Sequence, residues 1–202
     1  MRTLDRAIQS WRIAKAKPFI PQGVRILDVG CADGALFRRL GPLVGEGIGV
    51  DPELDEPRAG RTYRLLPGSF PADLPDSQPF DVITMLAVLE HIPRNQQGEM
   101  ARACAHALRP GGHLIITTPS PTVDHVLRVL KALHLIDGMA LEQHYGFRPS
   151  EVAPLFAAAG LQLMASQRFQ LRLNNLFVFR KAKPEDDGNG GYVTSVAQAG
   201  NK

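Results

Sequence analysis

Seven consecutive residues, Asp28-Val29-Gly30-Cys31-Ala32-Asp33-Gly34, follow an apolar run directly and combine two glycines with two carboxylates. Glycines at 30 and 34 allow a sharp turn and let the backbone approach a ligand without a Cβ in the way. If a helix follows, its free N–H groups point at the carboxyl end of the sheet, where open α/β folds bind their ligands. The second residue of interest is Asp51, 17 residues beyond Gly34 and at the end of the next apolar run. A carboxylate there can accept hydrogen bonds from both hydroxyls of a ribose. Each feature also has a structural account. The glycine turn can be a tight strand–helix connection, and Asp51 can be a helix N-cap, worth about 1 kcal/mol. The spacing is not that of a dinucleotide G-x-G-x-x-G, because position 32 is Ala, nor that of a phosphate-binding G-x-x-x-x-G-K-[ST] loop.

These residues need elements to position them. The run Val24-Arg25-Ile26-Leu27-Asp28-Val29 reads as a buried strand, and residues 35–43 as a helix with Leu36, Leu40 and Leu43 on one stripe. Further strands are expected at 47–50, 62–66, 80–86, 113–118, 161–169 and 174–180, seven in all. Helices are expected at 96–108, stopped by Pro110-Gly111-Gly112, at 123–135, and at 149–159, with Ser150 as N-cap and Gly160 as C-cap. Alternation of strands and helices means an α/β fold, a mostly parallel sheet with helices on both faces. Ahead of it, residues 4–17 form an amphipathic helix with Leu4, Ile8 and Trp11 on one face. That helix can pack on the core, act as a lid or touch a membrane surface. We divide the chain into this N-terminal segment (1–19), a domain at 20–182 and a polar tail at 183–202 with too little apolar surface to order itself.

With 202 residues and 44% hydrophobic content, the chain suits one domain with a sizeable core. No apolar run approaches the ~18 residues that cross a bilayer, and the N-terminus lacks the continuous apolar stretch of a signal peptide. Cys31 and Cys104 match neither a metal spacing nor a disulfide framework, so two reduced thiols, no metal and a cytoplasmic location are the default. Residues 1–25 carry a local charge of +5, residues 26–182 carry −1, and residues 183–202 carry −1. A near-neutral body argues against a nucleic-acid surface.

Four segments occur together in a characteristic order: the Asp28–Gly34 turn, Gly49-Val50-Asp51, the stretch from Phe80-Asp81 through Leu89-Glu90-His91-Ile92, and Leu108-Arg109-Pro110-Gly111-Gly112. In this the chain resembles the class I S-adenosylmethionine-dependent methyltransferases, over about residues 20–182. It is most similar to the small-molecule group with Leu-Glu-His after the fourth strand. The resemblance implies a Rossmann-like, doubly wound sheet of seven strands with an antiparallel closing strand. It also implies that Gly30, Cys31 and Ala32 line the methionine part of S-adenosylmethionine, with Asp28 near its amino group and Gly34 closing the turn. Members often carry Gly where Ala32 stands. Asp51 would hold the ribose, Pro52 would pack near the adenine, and Leu86 and Ala87 would shape the pocket beside the sulfonium. Many members have an Asp that meets the adenine amino group after the third strand. Here Gly68-Ser69-Phe70 stands in that place, so Ser69 or the Phe70 backbone would take the contact.

The implied reaction is in-line methyl transfer, in which the protein supplies orientation and a water-excluding site. A hydroxyl acceptor would call for a base, and His91 and His144 are the candidates. Glu90 either orients the methionine end or begins a helix, and His125 is a surface or cap residue. A small-molecule acceptor is favoured, with a lipid or glycolipid retained because of the basic N-terminus. The competing readings are an S-adenosylmethionine-binding protein without turnover and an NAD-dependent oxidoreductase.

Overall fold

The structure is a computed structural model that describes residues 3–74, 78–120 and 148–183, with side chains from Arg6 onward. It begins with α1 (Thr3–Ala16), followed by β1 (Val24–Val29), α2 (Ala35–Leu40), β2 (Val44–Asp51), β3 (Arg58–Ala59) and β4 (Tyr63–Pro67). Next come β5 (Phe80–Leu86), α3 (Arg94–Ala107), β6 (Leu108–Pro119), α4 (Val152–Ala158), β7 (Leu161–Phe169) and β8 (Asn174–Lys181). The strands form one sheet in the order β3-β4-β2-β1-β5-β6-β8-β7. Strands β4, β2, β1, β5 and β6 pair in parallel, and β8 runs antiparallel to both β6 and β7.

The central strand shows why the sheet forms here. In β1 every residue except Arg25 is buried, as a strand covered on both faces must be. Ile26 faces one core with Ile13, Ala16, Leu36, Phe37, Val82 and Ile115, beneath α1 and α2. Leu27 and Val29 face the other with Ile83, Met85, Cys104, Ile116, Phe156 and Phe179, beneath α3 and α4. Helices therefore cover both faces. Strand order reverses at β1, so the carboxyl ends of β1, β2 and β5 open a crevice, with Asp28 in register with Gly49 and Thr84.

Several expectations are corrected. The sheet has eight strands, because the two-residue β3 adds an antiparallel edge to β4. Both its residues are exposed, so no apolar alternation announces it. Helix α1 buries Ile13 and Ala16, whereas Trp11 from the expected face is 50% exposed. The stripe through Leu43 breaks after Leu40, where Gly41 and Pro42 turn the chain into a 3-10 segment. Helix α3 ends at Ala107, before Pro110-Gly111-Gly112, and that run lies inside β6. The run there forms a bulge: Phe80 pairs with Leu108 and Val82 with His113. Ser150 does not cap a helix, since a 3-10 turn over Pro149–Glu151 leads into α4 without a side-chain cap. Gly160 does end α4, with φ +84° and its N–H donating to the Ala157 carbonyl. The expected helix at 123–135, His125, His144 and the tail at 184–202 lie outside the described residues.

Candidate active site

The turn after β1 is held by the end of β2. The Gly30 N–H donates to the Val50 carbonyl at 2.9 Å and the Gly34 N–H to the Cys31 carbonyl at 2.8 Å. Gly34 has φ +74° and precedes α2, and a Cβ on it would stand 2.8 Å from Leu65 Cδ1. Gly30 has φ +72°, and a Cβ there would overlap Val88 Cγ2. Glycine is thus favoured by the backbone at both positions, and at Gly30 by the closeness of Val88 as well. Gly30→Ala should therefore lower stability by about 2–3 kcal/mol, from left-handed strain plus the clash. Thermal melts of Gly30→Ala and of Gly30→Ala with Val88→Ala check this. The second change should restore the steric share and leave the backbone share.

Asp51 braces the turn through its carboxylate, a role separate from the ribose contact and the helix cap that its position suggests. It is 7% exposed. Its Oδ2 accepts from the Ala32 N–H at 2.7 Å and its Oδ1 from the Glu53 N–H at 2.9 Å. Each oxygen keeps a lone pair for a further donor. Ala32 itself sits at φ +45°, the conformation that glycine adopts freely and alanine at a cost of about 1 kcal/mol. Ala87, after β5, has φ +62°, and its N–H donates to the Thr117 carbonyl at 2.9 Å. Non-glycine residues held left-handed tend to gather at ligand sites.

These two alanines line one cavity of about 310 Å³ together with Asp28, Gly30, Cys31 and Leu86. The opposite wall is α1, through Ile8, Gln9, Arg12 and Ile13. A lid is among the readings the sequence offers for this helix, but Arg12 is not singled out by it, because it reads as one surface cation among several. In the fold its Nε and Nη2 donate to Asn174 Oδ1 at 3.3 and 3.2 Å. Burial pulls its guanidinium below the ordinary value, and the Glu90 carboxylate opposes that shift.

Asp28 is buried, with its Oδ1 accepting from Thr84 Oγ1 at 2.7 Å. Desolvation raises its carboxyl to about 7, with the Thr84 hydrogen bond pulling down and the Asp51 charge adding to the rise. Cys31 is pushed up chiefly by burial, and Cys104, in the core, is pushed up to about 12 by burial alone. Neither thiol is a nucleophile at neutral pH.

The remaining sequence-derived residues that the structure describes do not line this cavity. Gly34 and Asp51 brace the turn. Pro52 is exposed beside Asp51. Ser69 is exposed, and its N–H donates to Asp73 Oδ2 at 2.8 Å. The Phe70 side chain is in the core. His91 ends a 3-10 turn over Leu89–His91 and is exposed, and Glu90 beside it is 2% exposed. Among the described residues no cluster of His, Cys, Asp or Glu is arranged to hold a metal.

Known proteins agree with this architecture. The Methyltransferase domain family profile matches residues 2–166. A ubiquinone biosynthesis O-methyltransferase of Idiomarina loihiensis is 32% identical over 156 residues, covering 71% of this chain and 63% of that protein. One of the same description from Xanthomonas euvesicatoria is 31% identical over 154 residues, covering 70% and 64%. The chain thus spans under two thirds of the length of these curated relatives. Among solved structures, the N-methyltransferase NodS of Bradyrhizobium japonicum superposes with a TM-score of 0.64 at 16% identity, covering 90% of this chain and 98% of that one. Magnesium protoporphyrin IX methyltransferase from Synechocystis, solved with bound SAH, gives 0.59 at 18% identity, covering 88% and 81%. The glycine turn braced by Asp51, the crevice at the reversal of strand order and the match over most of its length together show that this chain belongs to the class I S-adenosylmethionine-dependent methyltransferase family.

Proposed function

We propose that the chain transfers a methyl group from S-adenosylmethionine to a small-molecule nucleophile, and that the cavity between α1 and the β1 turn takes the methionine end of the cofactor. One observation carries this reading: Arg12 and Asp28, of opposite charge, line the same cavity, as the carboxylate and ammonium of an amino acid require. When bound, the cofactor supplies an electrophilic methyl group. This chain's residues do the rest. Asp51 orients the ribose while it fixes the Ala32 backbone. Leu86, Ile13 and Leu36 exclude water from the reacting end. Pro52, Ser69 and the Phe70 backbone flank the adenine side. His91 and His144 are the proposed bases for a hydroxyl acceptor.

The acceptor we favour is a ring hydroxyl of phenolic or catecholic type, on the strength of relatives described as ubiquinone biosynthesis O-methyltransferases; a lipid or glycolipid hydroxyl is the second class to test. The two buried free thiols suit a reducing compartment, which supports a cytoplasmic setting. The test is incubation with S-adenosylmethionine and a set of catechols, reading S-adenosylhomocysteine release. Turnover with at least one is expected, and tight cofactor binding without product from any acceptor class would favour a protein that only binds. Arg12→Met should weaken cofactor binding about tenfold or more by calorimetry, the loss of one charged hydrogen-bonding partner. Unchanged affinity would remove Arg12 from the methionine site.

A further inference from the structure

Cationic residues are segregated in this fold more sharply than the net charge of +3 suggests. Residues 6–17 contain Arg6, Arg12, Lys15 and Lys17 and no acid, and residues 161–183 contain Arg168, Arg172, Arg180, Lys181 and Lys183 and no acid. The structure brings these two segments together. Gln170 Nε2 donates to the Ile8 carbonyl at 3.4 Å, and Arg12 donates to Asn174, so the outer side of α1 and the β7–β8 turn form one continuous surface.

Two large apolar side chains stand out from it. Trp11 is 50% exposed and Leu171 is 91% exposed. Leu171 occupies the tip of the turn, where Gln170, Leu171 and Arg172 have φ of +51°, +55° and +68° in succession. The Leu173 N–H closes this turn onto the Gln170 carbonyl at 2.9 Å. A turn of that kind is best served by Gly, Asn or Asp. A leucine there is strained and also presented to solvent, which gains nothing for the fold. Arg168 and Arg172 flank it and are exposed, as is Arg6.

We propose that this surface, with Trp11 and Leu171 as apolar contacts and Lys15, Arg168 and Arg172 around them, docks on an anionic phospholipid bilayer. Aromatic and leucine side chains at the headgroup boundary combined with cations nearby are what such a surface binds. Nucleic acid would use the cations but leave an exposed leucine at a turn tip without a role. Because α1 also forms the wall of the cofactor cavity, docking places the cavity mouth near the lipid headgroups. The proposal is independent of which acceptor is methylated.

Trp11 is the chain's single tryptophan, so its fluorescence reports on this surface alone. The full chain is titrated with vesicles of phosphatidylcholine, with and without roughly one third phosphatidylglycerol. The expected result is a blue shift and co-flotation with the anionic vesicles only, weakened by salt at about 0.5 M. Leu171→Glu combined with Arg172→Glu should cut partitioning about tenfold or more while the melting temperature and cofactor affinity stay as in the parent. No partitioning onto anionic vesicles overturns the proposal, as does partitioning that the double variant leaves intact. It also fails if single-stranded RNA binds as tightly and displaces the vesicles. Cofactor affinity, measured on the same samples, reports separately on the methyltransferase reading.

Discussion

Asp51→Ala is expected to lower affinity for S-adenosylmethionine at least about a hundredfold, the equivalent of two charge-assisted hydrogen bonds at roughly 1.5–3 kcal/mol each. The effect has two parts. Ribose hydroxyls lose their acceptor, and the Ala32 and Glu53 N–H groups lose theirs. The second part loosens a backbone already held left-handed at Ala32. Asp51→Asn separates them. Its side chain keeps one acceptor oxygen, so one backbone bond can persist while the charge is gone. Calorimetry with cofactor and with its demethylated product measures both variants. A variant with parental affinity in the alanine case would remove Asp51 from the binding site altogether.

Asp28→Asn should move stability and binding in opposite directions. The folded carboxyl lies near 7 rather than 3.8, chiefly through desolvation. A carboxyl raised in this way contributes stability in its protonated form at low pH. That contribution is lost progressively as pH rises from about 4 to about 7, and little changes above. The penalty for the ionised form above neutrality is on the order of 4 kcal/mol from the size of the shift. Asparagine keeps the shape and abolishes the ionisation. The variant should therefore melt several degrees higher than the parent at pH 8, and melting temperature should lose its slope between about pH 4 and 7. Binding should go the other way. The ammonium of the cofactor favours the charged carboxylate, so parental affinity should fall as pH drops below about 7, up to tenfold per unit, whereas the variant should bind weakly at every pH. A parental binding curve flat across this range would show that Asp28 does not face the ammonium. The pairing of a stability cost with a binding gain is common where a site is built from buried charge.

Much of this fold is legible without coordinates, for a physical reason. Strands β1, β5 and β7 begin and end where the residues predict, because each is an apolar or β-prone run cut off by Gly, Pro or a polar turn. The Asp28–Gly34 turn and Asp51 are equally readable, since their roles are set by local backbone demands and by which strand they terminate. The rest depends on tertiary neighbours. Strand β3 is an exposed pair of residues whose pairing is decided by the approach of β4. The sequence puts Trp11 on the apolar face of α1, and only the sheet beneath selects Ile13 and Ala16 over it. Arg12 was invisible as a site residue because its partners are Asn174, far along the chain, and a buried Glu90. Ser150 does not cap α4, since Pro149 tightens the entry into a 3-10 turn.

The clasp between Arg12 and Asn174 joins residues 162 positions apart. Closing so long a loop is a slow, entropically costly event, and here it comes with the final hairpin. During synthesis the first helix therefore emerges long before its anchor exists. The glycine turn, the strands around it and the Ile13 and Ala16 contacts of α1 can assemble earlier, but the clasp that fixes this side of the binding chamber waits until β8 has slotted in between β6 and β7. Nascent chains stalled before residue 174 should accordingly have a sheet in the making and weakened affinity for the cofactor.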